Sequence, residues 1–466
     1  MKIFSLTLAL GLGCLASAPA KDAARATAAW ESSVVKIEVT QKKFDYYQPW
    51  NQRTARTQKL GMVIGPKEIL TPAEHLSEQT LVRVQKRGRG KWWIGKTVWV
   101  DYPANLAQVS VDGDDFWSDL QPVKFGGAIP EDGSLQMIRW KDGVLESAKA
   151  TFVRYLLEES QTSGLSHVHL KAHTELNDGG WGELLVADSH VVGLTVGMRD
   201  NLCNAMPASF IQMLVQAHQG AYRGLGYFPF YWQKAENTAS LDYLGLKGEP
   251  RGVFVTRVPP PLDGSAPQLQ PRDVILQIDG FDIDIQGDYL DPEFGFLSLE
   301  NLALRGKWAG DEVRMKILRA GQEKEIAFRL PKYEYENWRV PAFTFDREPE
   351  YLILGGLVFQ PLTTSYLRAW GEDWKRRAPF HLNYHTENEA TTNEPGVVIL
   401  SQVLPDSFNI GYQDQRFLVV EKVNARPITQ LAELREAFQH PQAGFHRIEF
   451  RRGNDLQRVV LAAGEE

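Results

Sequence analysis

Apolar and polar residues alternate along most of the first half of the chain. Val34-Val35-Lys36-Ile37-Glu38-Val39, Leu81-Val82-Arg83-Val84 and Val98-Trp99-Val100 each keep the period of two that turns one face of a strand toward a core. Gly, Pro and Asp clusters interrupt these runs about every 8 to 12 residues, the spacing of an all-β sandwich or barrel. Ala208 to Gln216 then has helical spacing and closes the region. From 222 to 335 a second unit reads as strand, loop, strand, with Gly252-Val253-Phe254-Val255 followed by Asp273-Val274-Ile275-Leu276-Gln277-Ile278-Asp279-Gly280. The same grammar returns from 350 to 463, in Val397-Val398-Ile399-Leu400, then Phe417 to Asn424, then a helical segment from Leu431 to Phe438. This internal duplication predicts two related units behind an all-β domain at 28–218.

Composition narrows the class without naming a function. The 466-residue chain is 43% apolar and 23% charged, with 39 Gly and 25 Pro, which excludes a wholly disordered or collagen-like polypeptide. A net charge of −7 argues against general nucleic-acid binding, since neutralising phosphates takes a surplus of Lys and Arg. The two cysteines, Cys14 and Cys203, are too few for a disulfide framework or a closed cysteine zinc site. Met1-Lys2, the apolar run Ile3 to Ala16 and the small-residue site Ala18-Pro19-Ala20 have the form of an export signal over 1–20, cleaved after Ala20. The expected protein is exported, periplasmic or secreted, with Cys203 its lone thiol. Lipidation of Cys14 is the alternative, set against Gly11 where an aliphatic residue is normal. Beyond the signal no run approaches the roughly 18 apolar residues of a membrane span.

The order of these segments resembles the Do-like (HtrA/Deg) serine proteases. The likeness rests on Ser33 to Ile37 as a first strand, Ile69-Leu70-Thr71-Pro72-Ala73 ahead of the catalytic position, and Phe116-Trp117 with Phe125-Gly126. Phe44 to Trp50 is similar to an aromatic loop of the plant-type branch with two PDZ domains. Tyr351 to Phe359, Ser401 to Leu404 and Asn409 to Tyr412 are similar to that branch's second PDZ domain. The resemblance implies a mainly β fold: a trypsin-like double β-barrel at 28–218, PDZ domain 1 at 222–335 and a PDZ-like domain 2 at 350–463.

It does not carry the family's chemistry with it. A serine protease needs a histidine base, an aspartate that holds its tautomer and a serine beside backbone oxyanion donors. The family's Thr-x-Ala-His is here Thr71-Pro72-Ala73-Glu74, its Asp-Leu-Ala is Asn105-Leu106-Ala107, and its Gly-Asn-Ser-Gly-Gly-Pro is Asp178-Gly179-Gly180-Trp181-Gly182-Glu183. Glu74, Asn105 and Gly180 therefore occupy the three triad positions, and no catalytic residue is expected. His75 comes one residue late, and Ser189 beside His190 sits in a hairpin tip. Asp178 at a family glycine puts a carboxylate near the anion site, and Trp181 adds bulk. The rival reading is a divergent hydrolase that uses Glu74, His75 or Asp178 in a new arrangement.

What survives is binding. PDZ domains add an extended peptide to a sheet edge and hold its carboxylate on backbone N–H groups. Gly224-Leu225-Gly226-Tyr227 resembles that loop, with Leu225 and Tyr227 flanking an apolar pocket; the plainer alternative is an interdomain turn. The expected partners are peptides or unfolded-protein C-termini. A homo-oligomer of barrel trimers is implied by the resemblance, with Phe44, Tyr46, Tyr47 and Trp50 as the candidate contact. No metal or cofactor is expected, because His167, His169 and His173 lack further convergent ligands. Lys86 to Trp93 mixes cations and aromatics but reads as a solvated hairpin tip.

Overall fold

In a computed structural model, residues 30–464 are described apart from 161, 261–266, 336–337, 372, 388–390, 392–393 and 452–457. The export signal, its Ala20 site and Cys14 lie outside the described residues. Six strands close a first barrel: β1 (Val34–Phe44), β2 (Gln52–Gly65), β3 (Glu68–Pro72), β4 (Gln79–Lys86), β5 (Trp92–Asp101) and β6 (Leu106–Val111). Six more close a second: β7 (Ser134–Lys141), β8 (Val144–Glu159), β9 (Ser166–Thr174), β10 (Leu184–Ala187), β11 (His190–Arg199) and β12 (Leu202–Pro207). The alternation in β1 serves two cores at once. Val35, Ile37 and Val39 point into the first barrel, while Val34 joins the core that lies between the barrels. Helix α1 (Ala208–His218) follows β12 and buries Phe210, Ile211 and Leu214 against that same core.

The next unit is a sheet of β13 (Tyr231–Gln233), β14 (Val253–Arg257), β15 (Val274–Ile278), β16 (Phe281–Asp282), β19 (Glu312–Arg319) and β20 (Gln322–Arg329). A separate hairpin of β17 (Asp288–Asp291) and β18 (Gly295–Ser298), then a 3-10 turn over Leu299–Ala303, lies between β16 and β19. This unit is no loose appendage. Leu225, Leu299, Leu302 and Leu330 share one hydrophobic core with Leu184 of β10 and Leu214 of α1.

The last sheet comprises β21 (Leu352–Leu354), β22 (Leu357–Pro361), β23 (Val398–Val403), β24 (Leu418–Val423), β25 (Arg426–Pro427), β26 (Phe445–Phe450) and β27 (Arg458–Ala462), with helix α2 (Leu431–Phe438) packed on it. The fold is thus mainly β: a trypsin-like pair of barrels followed by PDZ units.

Candidate functional site

Asn105 and Glu74 are joined by a hydrogen bond in the first barrel, and the Gly180 loop of the second barrel reaches this turn through Trp181, whose ring lies on His75. Asn105 takes a positive φ of 54°, its side-chain Oδ1 accepts from Glu74 N at 3.0 Å, and its carbonyl accepts from Ala73 N at 3.0 Å. The buried Lys59 of β2 reaches under the same turn. Its Nζ donates to Pro72 O and, at 2.6 Å, to Glu74 O. Burial pulls the Lys59 ammonium down to about 7 and pushes Glu74 above the usual carboxylate range.

His75 is closer to the cleft than its sequence position suggests. The segment is a turn rather than a helix, with Leu76 N donating to Ala73 O and φ of His75 at 63°. Its ring stacks on Trp181 at 4.7 Å between centroids. Nε2 lies 3.6 Å from Glu74 Oε1. Burial, then the Lys59 charge, lowers this imidazole to about 4, so it is neutral at pH 7. Ser189 is a turn residue with φ of 64°, and the neighbouring His190 faces Asp188 O.

The decisive side chain is Glu183, which sequence reasoning passed over. Its carboxylate, 4% exposed, turns back on the loop before it and accepts from Gly180 N and Trp181 N, each at 2.9 Å. Thr195 Oγ1 donates to the same oxygen. In a working triad the nucleophile's own N–H is an oxyanion donor; here that N–H already holds an internal anion. Gly180 also has no room for a side chain. With φ at 93°, a Cβ there would lie 2.6 Å from Gly197 C and from Met198 N. Asp178, expected near the anion, is elsewhere: its carboxylate pairs with Arg139 at 3.0 Å and Lys141 at 3.3 Å. The Arg139 hydrogen bond holds it below the ordinary range. The one sequence signal for Glu183 was its place in the motif, where the family writes proline.

The predicted carboxylate loop is a packed segment. Leu225 is 1% exposed and belongs to the core, yet it also lines the cleft beside this segment. Leu225 O accepts from Tyr333 N, Gly224 O from Ala309 N, and Gly226 bridges to Lys332. A cleft of about 520 Å³ opens beside it, lined by Tyr222, Arg223, Gly224, His218, Lys332 and Tyr333 among others. At its wall Asp101 accepts from Tyr222 OH and from His218 Nε2.

The 44–50 aromatics were assigned to a contact between copies. Part of this loop packs within the chain, while Trp50 stays 39% exposed. Tyr47 enters a cage of Tyr366, Trp370 and Phe417 at 5.4–6.2 Å, and Trp50 meets Tyr351 at 6.0 Å. Gln360 and Gln402 donate side-chain N–H bonds to the carbonyls of Tyr46 and Tyr47. His167 stacks on Phe210, His169 lies tilted against His167, and His173 is exposed; among the described residues no cluster could hold a metal ion.

Comparison with known proteins agrees with this architecture. Residues 340–465 match the family model of a PDZ domain. Protease Do-like 2, chloroplastic, of Arabidopsis thaliana is 27% identical over 87% of this chain and 68% of its own length. Protease Do-like 4, mitochondrial, of the same plant is 24% identical over 87% of this chain and 76% of its own. Among solved structures, the HtrA-type protease AlgW with a decapeptide shares the fold at 16% identity and a TM-score of 0.50, over 67% of this chain and 99% of that one. The chain is therefore similar over most of its length to Do-like (HtrA/Deg) proteases, and its residues 340–465 match a PDZ domain.

Proposed function

We propose that this homologue is a non-catalytic peptide-binding member of the family, an exported chaperone, scaffold or regulator. The observation that carries the reading is the Glu183 carboxylate on the N–H groups of Gly180 and Trp181. An oxyanion cannot share those donors with a buried carboxylate without like-charge repulsion in a low-dielectric site. No base can act from Glu74 or His75 on a nucleophile that Gly180 does not provide. The rival hydrolase loses its third candidate to the Arg139 and Lys141 pairs of Asp178.

Peptide recognition is assigned to the 222–335 unit. AlgW, the neighbour in fold, was solved with a decapeptide. In this chain the 224–227 backbone beside the cleft would take a terminal carboxylate. The test is twofold. The mature chain is treated with a fluorophosphonate probe and with unfolded casein, and neither labelling nor cleavage is expected. Labelling at any serine that is lost when that serine becomes Ala would overturn the reading. Peptides ending in Val, Leu or Phe should then bind the whole chain as free acids more tightly than as amides, by about 1.5–3 kcal/mol, the scale of a charge-assisted hydrogen bond. Equal affinities would remove 224–227 from the site.

A further inference from the structure

β22 and β23 are neighbours in the last sheet, yet the chain joins them by the long connection 362–397. Three short helical turns, Thr364–Leu367, Trp374–Arg377 and Phe380–Asn383, and a 3-10 turn, Tyr384–Glu387, fold that connection onto the sheet. Its inward side is apolar: Leu367, Ala378 and Leu382 join Ile399 of β23 and Val419 of β24 in one core. Hydrogen bonds fix the turns in place. Asn383 Nδ2 donates to Lys375 O at 2.7 Å, and His381 Nε2 meets Phe417 O at 2.6 Å. The outward side carries rings and cations. Phe380 is 80% exposed and Tyr384 56% exposed, with their ring centroids 6.2 Å apart. Lys375, Arg376 and Arg377 are exposed on the turn that Asn383 ties to this one, and none has an ion-pair partner among the described residues. From 374 to 386 the sequence holds these three cations and no carboxylate, in a chain of net charge −7. Asp373 and Glu387 mark the ends of the stretch.

We infer that this face docks the protein on an anionic lipid bilayer, with Phe380 entering the boundary between headgroups and acyl chains. Lys375, Arg376 and Arg377 then meet the lipid phosphates. An apolar ring that the fold holds out in water needs a partner that deforms around it, and a bilayer interface does so. Aromatic rings such as Tyr384 and Trp374 settle at headgroup level. Lys and Arg lay their stems on apolar surface and keep their charges at the phosphates; Lys375 Nζ already lies 5.7 Å from the centroid of the Trp374 ring. Each cation near an anionic leaflet is worth about a factor of five in partition, so three together favour anionic over neutral lipid by about a hundredfold when all engage. One ring alone would bind only marginally, so the two signals act together. An acidic protein would pair the cations but gives a protruding Phe380 no apolar medium to enter. The face lies outside the 222–335 unit and is independent of the 224–227 reading.

The experiment sediments the mature chain with vesicles of phosphatidylcholine, alone or mixed equally with phosphatidylglycerol. Partition onto the mixed vesicles should be at least tenfold greater at low salt. Raising the salt to about 0.5 M, where screening acts within roughly 5 Å, should lower it at least fivefold. Phe380→Ser should lower it at least threefold, and Lys375→Glu combined with Arg376→Glu at least tenfold. These variants change exposed side chains, and their melting temperatures report folding. A dye reading locates the contact. Phe380→Cys, labelled with an environment-sensitive dye while Cys203 stays buried, should shift to the blue on mixed vesicles. Phe445→Cys, 52% exposed at the end of β26 away from Phe417, should not. Equal partition onto the two vesicle types, ring or charge variants within twofold, or a shift at 445 without one at 380 would overturn the proposal. Binding of poly-glutamate without binding of vesicles would give the face to an acidic protein and overturn it equally.

Discussion

Restoring a serine at the nucleophile position should damage the protein before it restores any chemistry. In Gly180→Ser the new Cβ would sit 2.6 Å from Gly197 C and Met198 N and 2.8 Å from Gly197 Cα. All three are backbone atoms of β11, a strand fixed between β10 and β12, so no side-chain rotation relieves the clash. The φ of 93° adds strain of about 1–3 kcal/mol for a residue other than glycine. Overpacking adds about 1–3 kcal/mol more. A total of roughly 2–6 kcal/mol in a domain of this size corresponds to a fall in melting temperature on the order of 10 °C. Gly197→Ser is the control: a Cβ there meets nothing within 4 Å, and a shift within about 0.5 kcal/mol is expected. Thermal denaturation and fluorophosphonate labelling of both variants check the argument. A Gly180→Ser protein that melts with the wild type and takes the probe would refute the geometry and the non-catalytic reading together.

Glu183→Ala would leave two buried N–H groups and the Thr195 hydroxyl short of an acceptor, so a loss of about 2–4 kcal/mol in urea is expected; Glu183→Gln, which keeps an acceptor, should lose less, and equal losses would contradict the capping role. Stability should fall as pH drops from 6.5 toward 5. Burial holds His75 and His385 at about 4 and His167 well below its usual value, so the unfolded chain takes up protons first, at up to about 1.4 kcal/mol per pH unit per group. Glu158, held at about 2 by the His169 ring 3.8 Å away and by its 2.8 Å bond from Lys171, loses its contribution only below 4.5, so the two windows separate; a urea midpoint unchanged between pH 7 and 5 would count against the histidines. Tyr47→Ala removes three aromatic contacts of about 0.5–1.5 kcal/mol each and should speed limited proteolysis between the barrels and the 340–465 domain. An unchanged cleavage rate would show that the cage does not hold that domain.

Period and motif position carried much of the fold. The alternation of Val34 to Val39 became β1, and Leu431 to Phe438 is α2 residue for residue, because both patterns are local and each buries one face. Glu74, Asn105 and Gly180 were picked out by the same kind of local reading: a motif is read in line. Glu183 was not. Its reach to Gly180 N depends on positive φ at Gly179, Gly180 and Gly182, a loop path that no periodicity encodes. Leu225 and Gly226 show how much packing a short string can hide. A hydrophobic-Gly-hydrophobic string looks like an exposed loop, but Leu330 Cβ stands only 2.9 Å from where a side chain on Gly226 would begin. That glycine serves close packing, and Leu225 is core. The Tyr47 cage was out of reach because its walls come from hundreds of residues away.

That separation has a cost in time. Tyr46 is 314 residues ahead of Gln360, and Tyr47 is 355 ahead of Gln402. At about 5–20 residues per second, the ribosome needs roughly 16–63 s to add 314 residues. Throughout that interval β1 and β2 can already pair, yet the loop joining them stands with its aromatic rings in water. Every newborn copy thus passes through a stage with a sticky knob on its first hairpin, and a fragment ending before residue 340 would keep that knob permanently. The last domain is the cap that silences the first loop.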